Sequence, residues 1–139
     1  MRLIRPILKA VGDLGYQRPT PIQQLAIPVI ATGKDVVASS ITGSGKTAAF
    51  LIPIIQRYFN VAAVGYIRTL VVTPTRELAI QIFEEFQKLN RFTNLEAALA
   101  IGASSREKQE SALRNNPELV IGTPGRIIDL LMNSRSVGI

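Results

Sequence analysis

The chain contains no cysteine and no histidine among its 139 residues. Without cysteine there is no disulfide framework and no thiolate metal site. Without histidine there is no imidazole acid–base chemistry, and most transition-metal sites are excluded as well. Any metal chemistry must therefore rest on oxygen ligands, a set that suits Mg²⁺.

Long hydrophobic runs are also missing, since no apolar stretch reaches the roughly 18 residues of a membrane-spanning helix. The stretch from Met1 to Val11 is basic and apolar like a signal peptide, but Pro6 and Lys9 interrupt it and no small-residue cleavage site follows. Its apolar residues recur at helical spacing, which predicts an amphipathic helix: Leu3, Ile7, Leu8, Val11 and Leu14. The lack of cysteine fits an intracellular protein.

The overall composition is that of one globular domain with a core of its own. Hydrophobic residues make up 47% of the chain and charged residues 19%, which excludes intrinsic disorder. Sixteen Lys and Arg against ten Asp and Glu give a net charge of +6. This excess favours a polyanionic partner, although a merely basic surface would have the same charge.

Short apolar runs alternate with helical patterns along the chain. The strand candidates are Val36–Ala38, Leu70–Thr73, Ala97–Ile101 and Leu119–Gly122. The helix candidates are a stripe of Leu78, Ile82, Phe86 and Leu89, a polar segment Ser104–Leu113 with serine at its start, and Ile127–Met132. This alternation predicts an α/β fold, a parallel sheet with helices on both faces.

A glycine-rich loop follows the first strand candidate. Residues Thr42–Thr47 approach the pattern G-x-x-x-x-G-K-[ST], with Ser40 where the pattern has glycine. The glycines let backbone amides approach an oxyanion closely, the lysine places a positive charge near outer phosphates, and the threonine hydroxyl suits Mg²⁺. The alternative is a glycine-rich turn that merely contains lysine. Pro53 should make the following helix kink or stop early, and Asn60–Gly65 should be a loop tip.

One four-residue pattern, Thr-Pro-x-Arg, occurs twice, at Thr73–Arg76 and Thr123–Arg126, each after a strand candidate. Capping explains the threonine, and proline is favoured at the first helical position. Capping does not explain the arginine, which the helix dipole disfavours there unless an anion binds. Since ligands of open parallel sheets bind at the carboxyl ends of strands, both loops are candidate sites for nucleic-acid phosphates.

Together these segments resemble the motifs of DEAD-box ATP-dependent RNA helicases, in order and in spacing. Gly15–Gln23 is similar to the Q motif, Ser40–Thr47 to motif I, Pro74–Ala79 to motif Ia, Gly102 to the GG motif and Thr123–Arg126 to motif Ib. The resemblance covers nearly the whole chain and implies the N-terminal part of a first RecA-like domain. Gln109–Asn133 most resembles a nucleolar, ribosome-building branch, which implies a nuclear or nucleolar location.

The resemblance implies ATP and Mg²⁺ as cofactors and assigns roles to individual residues. Tyr16 would stack on adenine and Gln23 would read its edge; taken alone, they could be a turn aromatic and a helix-surface amide. The implied cofactor-binding set is Tyr16, Arg18, Gln23, Thr42, Gly43, Ser44, Gly45, Lys46, Thr47 and Ala48, with Lys46 and Thr47 catalytic and Thr47 on the metal. The implied RNA-binding set is Pro74, Thr75, Arg76, Gly102, Thr123, Pro124, Gly125 and Arg126. Glu77 would be a helix-start carboxylate or an interdomain contact.

The chain also departs from the family pattern. Ala103 stands where the GG motif has its second glycine, which could alter the backbone approach to RNA there. The sequence reaches Ile139 without an Asp-Glu-Ala-Asp motif, motif III or a second RecA-like domain. The resemblance therefore implies a partial domain, truncated before the DEAD motif, that is monomeric and inactive in hydrolysis by itself. Its partners would be RNA and the second RecA-like domain of the same protein, with no membrane involved.

Two other functions stay open at this point. One is a different P-loop enzyme, such as a nucleotide kinase or a DNA helicase, which the Tyr16/Gln23 pattern and the paired Thr-Pro-x-Arg loops disfavour. The other is a nucleotide- or RNA-binding module that never hydrolyses ATP.

Overall fold

The computed structural model describes residues 3–59, 61 and 66–133. Within these ranges it contains six helices and three strands. In chain order they are α1 (Arg5–Asp13), α2 (Pro21–Ala31), α3 (Lys46–Phe59), β1 (Thr69–Val72), α4 (Arg76–Leu89), β2 (Ala97–Ala100), α5 (Arg106–Arg114), β3 (Leu119–Gly122) and α6 (Pro124–Asn133). Apart from Val61, the predicted loop tip lies outside the described residues.

The chain divides into two compact units. The first comprises Met1–Ala62 and Glu85–Asn94, and the second comprises Ala63–Glu84 and Leu95–Ile139. The first unit holds the three N-terminal helices and the glycine-rich loop, and the second holds the sheet together with α5 and α6.

In the first unit, α1 confirms the predicted amphipathic helix, although it begins at Arg5 and extends to Asp13. Ile7 and Ala10 face the core, whereas Leu8 is half exposed. None of the helices that the structure describes is both long enough and apolar enough to span a membrane.

Helix α3 continues through Pro53 to Phe59, so the expectation of an early stop was wrong. A proline inside a helix removes one backbone hydrogen bond and crowds the preceding turn. Here the surrounding side chains offset that cost, because Leu51, Ile52 and Ile55 are all buried. Helix α2, which packs against α3, contains Pro28 in the same way.

The predicted strand Val36–Ala38 is not formed, because these residues have no strand assignment and the Val37 side chain is fully exposed. An apolar β-branched run favours extended backbone, but a strand exists only when a neighbouring strand accepts its hydrogen bonds. Among the described residues no strand pairs with this segment. The prediction of a strand directly before the glycine-rich loop is therefore corrected.

In the second unit the three strands form a parallel sheet in the order β1-β3-β2. Val72, Gly122 and Ala100 are in register, so the carboxyl ends of all three strands share one edge. The central strand β3 is buried along its whole length, which is typical of a strand covered on both faces. The three predicted strands of this sheet are confirmed; only Thr73 and Ile101 fall just beyond the observed ends.

The helices of the second half follow their predicted apolar stripes closely. In α4, Ile82, Phe86 and Leu89 are buried, while Leu78 is 37% exposed. Helix α5 has its N-cap at Ser105, whose hydroxyl accepts from the Lys108 amide. Helix α6 begins at Pro124, three residues earlier than its apolar stripe predicted.

Candidate functional site

The glycine-rich loop of the first unit leads directly into the N-terminus of α3, as predicted. Gly43 and Gly45 have φ values of +78° and +86°, a left-handed conformation that other residues rarely adopt. Left-handed glycines in a turn direct successive backbone amides towards one side and so form an anion-binding concavity. The N-terminus of the following helix adds to its attraction for anions. Between them, Ser44 Oγ is buried and has no hydrogen-bond partner in the described structure. The loop therefore fits a bound phosphate.

The ammonium group of Lys46 lies inside the turn of this loop. Its Nζ donates to the carbonyl oxygens of Ser40 and Ile41, at 2.5 and 2.6 Å. Ser40, where the sequence departs from the motif, thus contributes through its backbone, which makes the identity of its side chain less critical. A unit positive charge held a few ångströms from the loop amides adds to their attraction for an oxyanion.

Gln23 lies against the same loop. Its Oε1 accepts from the Thr20 amide at 3.0 Å, and its Nε2 donates to the Gly45 carbonyl at 3.2 Å. Only 7% of the residue is exposed, so the reading of Gln23 as a helix-surface amide is wrong. A primary amide has two donors and two lone pairs, so each end of Gln23 retains capacity for one further hydrogen bond.

A cavity of about 440 Å³ opens between the Q-motif segment and the loop. Its lining combines two segments that lie twenty positions apart in the sequence: Gly15, Tyr16, Gln17, Arg18, Thr20, Gln23, Gly43 and Gly45. Thr20 Oγ1 is buried and has no hydrogen-bond partner among the described residues. The volume falls within the usual range for small-molecule sites, and the unused polar atoms can orient a ligand.

The ring of Tyr16 lines this cavity and is held in place by a hydrogen bond from its hydroxyl group. Its hydroxyl donates to Glu85 Oε1 at 2.8 Å. Burial raises the pKa of Tyr16 to about 12, and the hydrogen bond and negative charge of Glu85 act in the same direction. Glu85 was not predicted as a site residue, because the helical pattern places it outside the apolar stripe and gives no sign of a partner in the Q-motif segment.

The remaining residues of the predicted cofactor set are spread around the loop. Arg18 lines the cavity and is exposed, and Thr42 is exposed at the start of the loop. Thr47 and Ala48 lie in the first turn of α3; Ala48 is 2% exposed, so it can reach a ligand only through its backbone. No group of three carboxylate, histidine or cysteine side chains suited to a metal occurs in the described part of the chain.

In the second unit the predicted RNA-binding residues gather at the carboxyl edge of the sheet. Thr73 directly follows β1 and its amide donates to the Gly122 carbonyl, while the Thr123 amide donates to the Ala100 carbonyl. Gly102 lies in the turn that follows β2. Because the strands are parallel and in register, the three loops that begin here are neighbours.

The two Thr-Pro-x-Arg loops differ in conformation. In the second, Thr123 precedes the helix and Pro124 is its first residue, as predicted. In the first, the capping residue is Thr75, whose Oγ1 accepts from the Leu78 amide at 3.2 Å, so the prediction that Thr73 caps α4 was wrong. The Thr73 hydroxyl instead donates to the Thr75 carbonyl, which tightens the loop and delays the helix by two residues.

This shift gives the two arginines different surroundings. Arg76 is the first residue of α4 and its side chain is exposed. Arg126 is the third residue of α6, and only 16% of its side chain is exposed. Its Nη1 donates to Gln109 Oε1 at 3.1 Å and to the Ser104 carbonyl at 3.3 Å. Sequence reasoning did not find Gln109, because a glutamine in a polar helix carries no visible signal.

Two glycines of this edge, Gly102 and Gly125, are not required by the fold itself. A Cβ atom placed on Gly102 or Gly125 would meet nothing within 4 Å, and neither residue has a positive φ. At Ala103 the opposite holds, since its φ of +57° is a conformation that favours glycine. The backbone of the GG segment therefore keeps a glycine-like turn although its second residue has a side chain.

A sequence profile of the DEAD/DEAH box helicase family matches residues 20–138. The chain belongs to this family. Its fold is that of a helicase RecA-like domain with a parallel sheet. A crystal structure of a hypothetical ATP-dependent RNA helicase from Sulfolobus tokodaii is similar, with a TM-score of 0.83 and 35% identity over 93% of this chain and 36% of that one.

Curated relatives of this DEAD/DEAH box chain are similar along its whole length. The DEAD-box ATP-dependent RNA helicase 28 of Oryza sativa subsp. japonica is 51% identical over 140 residues, which is 100% of this chain and 18% of that protein. The ATP-dependent RNA helicase DRS1 of Meyerozyma guilliermondii is 50% identical over 141 residues, 100% of this chain and 20% of that protein. The chain thus spans about a fifth of the length of the curated relatives it matches.

Proposed function

We propose that this chain is the ATP-binding and RNA-binding portion of an ATP-dependent RNA helicase that couples ATP hydrolysis to local unwinding of RNA duplexes. The observation that carries the proposal is the cavity in which Tyr16, Gln23 and the loop glycines meet. An aromatic ring suits the face of a purine base, a primary amide suits its edge, and a turn of backbone donors suits the phosphates of a nucleotide. The names of the similar proteins support the same activity.

Nucleotide selectivity would arise at Gln23. A glutamine amide is complementary to the N6 amino group and N7 of adenine, whereas guanine presents two acceptors on the same edge. Tyr16 would stack on the base, with its ring held by Glu85. These two contacts favour ATP over GTP.

The phosphates would bind at the loop. The amides between Gly43 and Gly45 and the free hydroxyl of Ser44 would donate to phosphate oxygens, and Lys46 would neutralise their charge. The Thr47 hydroxyl would hold Mg²⁺ together with those oxygens. ATP supplies the phosphoanhydride bond whose hydrolysis drives the helicase cycle.

RNA would bind at the carboxyl edge of the sheet in the second unit. Arg76 is exposed there, and the open surroundings of Gly102 and Gly125 allow a backbone of another molecule to approach closely. Contacts of this kind reach phosphates and riboses rather than base edges. Binding would therefore be largely independent of sequence and sensitive to salt.

The chain by itself should hydrolyse ATP negligibly. Phosphoryl transfer needs metal placement, an oriented water and stabilisation of the γ-phosphate charge. Lys46 and Thr47 would supply part of the charge stabilisation and part of the metal placement. The described residues contain no group of three carboxylate, histidine or cysteine side chains that could complete a metal site. The remaining groups would come from elsewhere in the protein, including a second RecA-like domain that acts as the partner of this one.

A nucleolar role in ribosome biogenesis is the finer part of the proposal. It rests on the resemblance of Gln109–Asn133 to that branch of the family. Imaging of the tagged protein beside a nucleolar marker tests it, and a uniform distribution through the cell would contradict it.

The activity itself is tested by phosphate release from ATP and from GTP by the complete gene product, with and without RNA. We expect release from ATP that RNA stimulates more strongly than DNA does. Lys46→Ala should abolish it, whereas Lys34→Ala, at an exposed lysine outside the loop, should leave it intact. Unchanged turnover in Lys46→Ala refutes the role of the loop, and binding of ATP without hydrolysis by the complete protein identifies a non-enzymatic module.

A further inference from the structure

Gln109 is a buried polar residue on an otherwise polar helix. It is 6% exposed, and besides it only Leu113 is assigned to the buried face of α5. Burying an amide without partners costs several times the free energy of an ordinary hydrogen bond. The buried amide of Gln109 therefore needs hydrogen-bond partners within the protein.

Both ends of the Gln109 amide are occupied. Its Nε2 donates to the Ile101 carbonyl at 2.8 Å, directly after β2. Its Oε1 accepts from Arg126 Nη1 at 3.1 Å. Reversing the amide would set its NH₂ group against the guanidinium donors, so only one orientation satisfies both partners. Gln109 thus joins the turn after β2 to the start of α6.

Asp129 already forms a long ion pair with Arg126. Its Oδ2 lies 3.9 Å from Arg126 Nε, too far for a hydrogen bond, while Oδ1 lies 3.4 Å from Arg106 Nη1. A guanidinium released from Gln109 would close this gap and form a bidentate pair with the carboxylate. That closer pair would occupy Nη2 as well as Nε. None of the described contacts of Arg126 uses Nη2.

We propose that Gln109 is a positioning residue for RNA binding: it holds Arg126 away from Asp129 and keeps Nη2 available for one phosphate. This inference rests on the proposed function, because it takes Arg126 to be a phosphate contact. It assigns a role to a residue outside the Q motif and motifs I, Ia, GG and Ib.

The test measures the affinity of the complete gene product for a short single-stranded oligouridine over a series of salt concentrations. Gln109→Met removes the amide at nearly constant volume, and Gln87→Met makes the same change at an exposed position of α4. We expect Gln109→Met and Arg126→Ala each to weaken binding roughly tenfold, as for one charge-assisted hydrogen bond. Each should also reduce, by about one, the steepness with which the logarithm of the binding constant falls with the logarithm of the salt concentration. The double variant should bind RNA no more weakly than Arg126→Ala alone. Gln87→Met should change neither quantity.

A rescue experiment separates positioning from a merely structural role. Adding Asp129→Asn to Gln109→Met should restore affinity by a larger factor than Asp129→Asn gains in the wild-type background, because the competing carboxylate is gone. Equal factors in the two backgrounds overturn the proposal. If Gln109→Met melts below the assay temperature, Gln109→Asn replaces it, since a shorter amide cannot reach both partners.

The outcomes distinguish this inference from the proposed function. If Arg126→Ala binds RNA like the wild type, the phosphate contact itself is refuted, and the inference falls with it. If Arg126→Ala weakens binding but Gln109→Met does not, or if the two effects add in the double variant, the proposed function stands and only the role of Gln109 is overturned.

Discussion

Gln23 and Gly45 are in direct contact, with the Gln23 amide donating to the Gly45 carbonyl at 3.2 Å. A Cβ atom on Gly45 would lie 2.4 Å from that same nitrogen. Gln23, proposed to recognise the base, therefore packs closely against the loop proposed to bind the phosphates. A side chain added at Gly45 would displace Gln23.

Gly45→Ala should lower the free energy of unfolding by about 1–2 kcal/mol, the cost of a left-handed conformation for a residue with a side chain. Displacement of Gln23 should add to this and weaken nucleotide binding. Urea unfolding and titration with a fluorescent ATP analogue measure the two effects. Gly12→Ala is the matched control, because it lies in α1 with open space around it and should stabilise the fold by about 0.5–1 kcal/mol. Two variants of equal stability would contradict the structure.

Ala103→Gly should stabilise the protein. The φ of Ala103 is +57°, so glycine relieves strain there. Since glycine also increases the entropy of the unfolded chain, the net gain should be about 0.5–1 kcal/mol. Thermal unfolding measures it. Asn116→Gly, at a φ of +53°, should gain less, because asparagine tolerates this conformation well; an equal or larger gain there would count against the explanation.

Gly125→Ala should separate stability from RNA binding. Gly125 is the second residue of α6 and its Cβ would point into open space, so alanine should leave the free energy of unfolding equal or raise it by up to about 1 kcal/mol. The added methyl should nevertheless obstruct an RNA backbone and weaken binding. Unfolding curves and fluorescence anisotropy with labelled RNA test this together. Intact RNA affinity would show that the glycine does not serve a close approach.

Stability should depend on pH through Tyr16 in the alkaline range. Its pKa is raised from 10.0 to about 12 in the folded state, first by burial and then by Glu85. The folded state thus binds the proton more tightly, so this contribution is complete below pH 10 and is lost as the pH rises through 12. Tyrosinate absorbance, compared with that of Tyr16→Phe, reports the titration. Glu85→Gln should lower the pKa of Tyr16 but leave it above 10.0, because burial remains; no shift at all would show that Glu85 does not act on the ring.

The sequence predicted the sheet of the second unit and the carboxyl edge of that sheet well. Short apolar runs between helical stripes are a local signal, and parallel strands bring their carboxyl ends together by geometry. Helix α4 and the existence of α5 also followed from local chemistry, although α5 is capped by Ser105 and not by the predicted Ser104. The family motifs pointed to the loop before α3 and to the residues at the carboxyl edge of the sheet, because these motifs have set residue types and occur in a fixed order along the chain.

What escaped prediction depends on partners that lie far away in the chain. Val36–Ala38 looks like a strand locally but lacks a neighbour to pair with in the described structure. Thr73 looks like a cap, yet its hydroxyl donates to the Thr75 carbonyl instead. Glu85 and Gln109 gain their roles from Tyr16 and Arg126, 69 and 17 positions away. Such pairings leave no local pattern.

Among the strands that the structure describes, β1 has one neighbour, β3, and at this border of the sheet Leu70 and Val72 are 41% and 54% exposed. Unsatisfied backbone groups beside apolar side chains readily recruit a further strand. At high concentration this border would promote self-association of the chain through intermolecular β-pairing, so light scattering should accompany every binding measurement made with it.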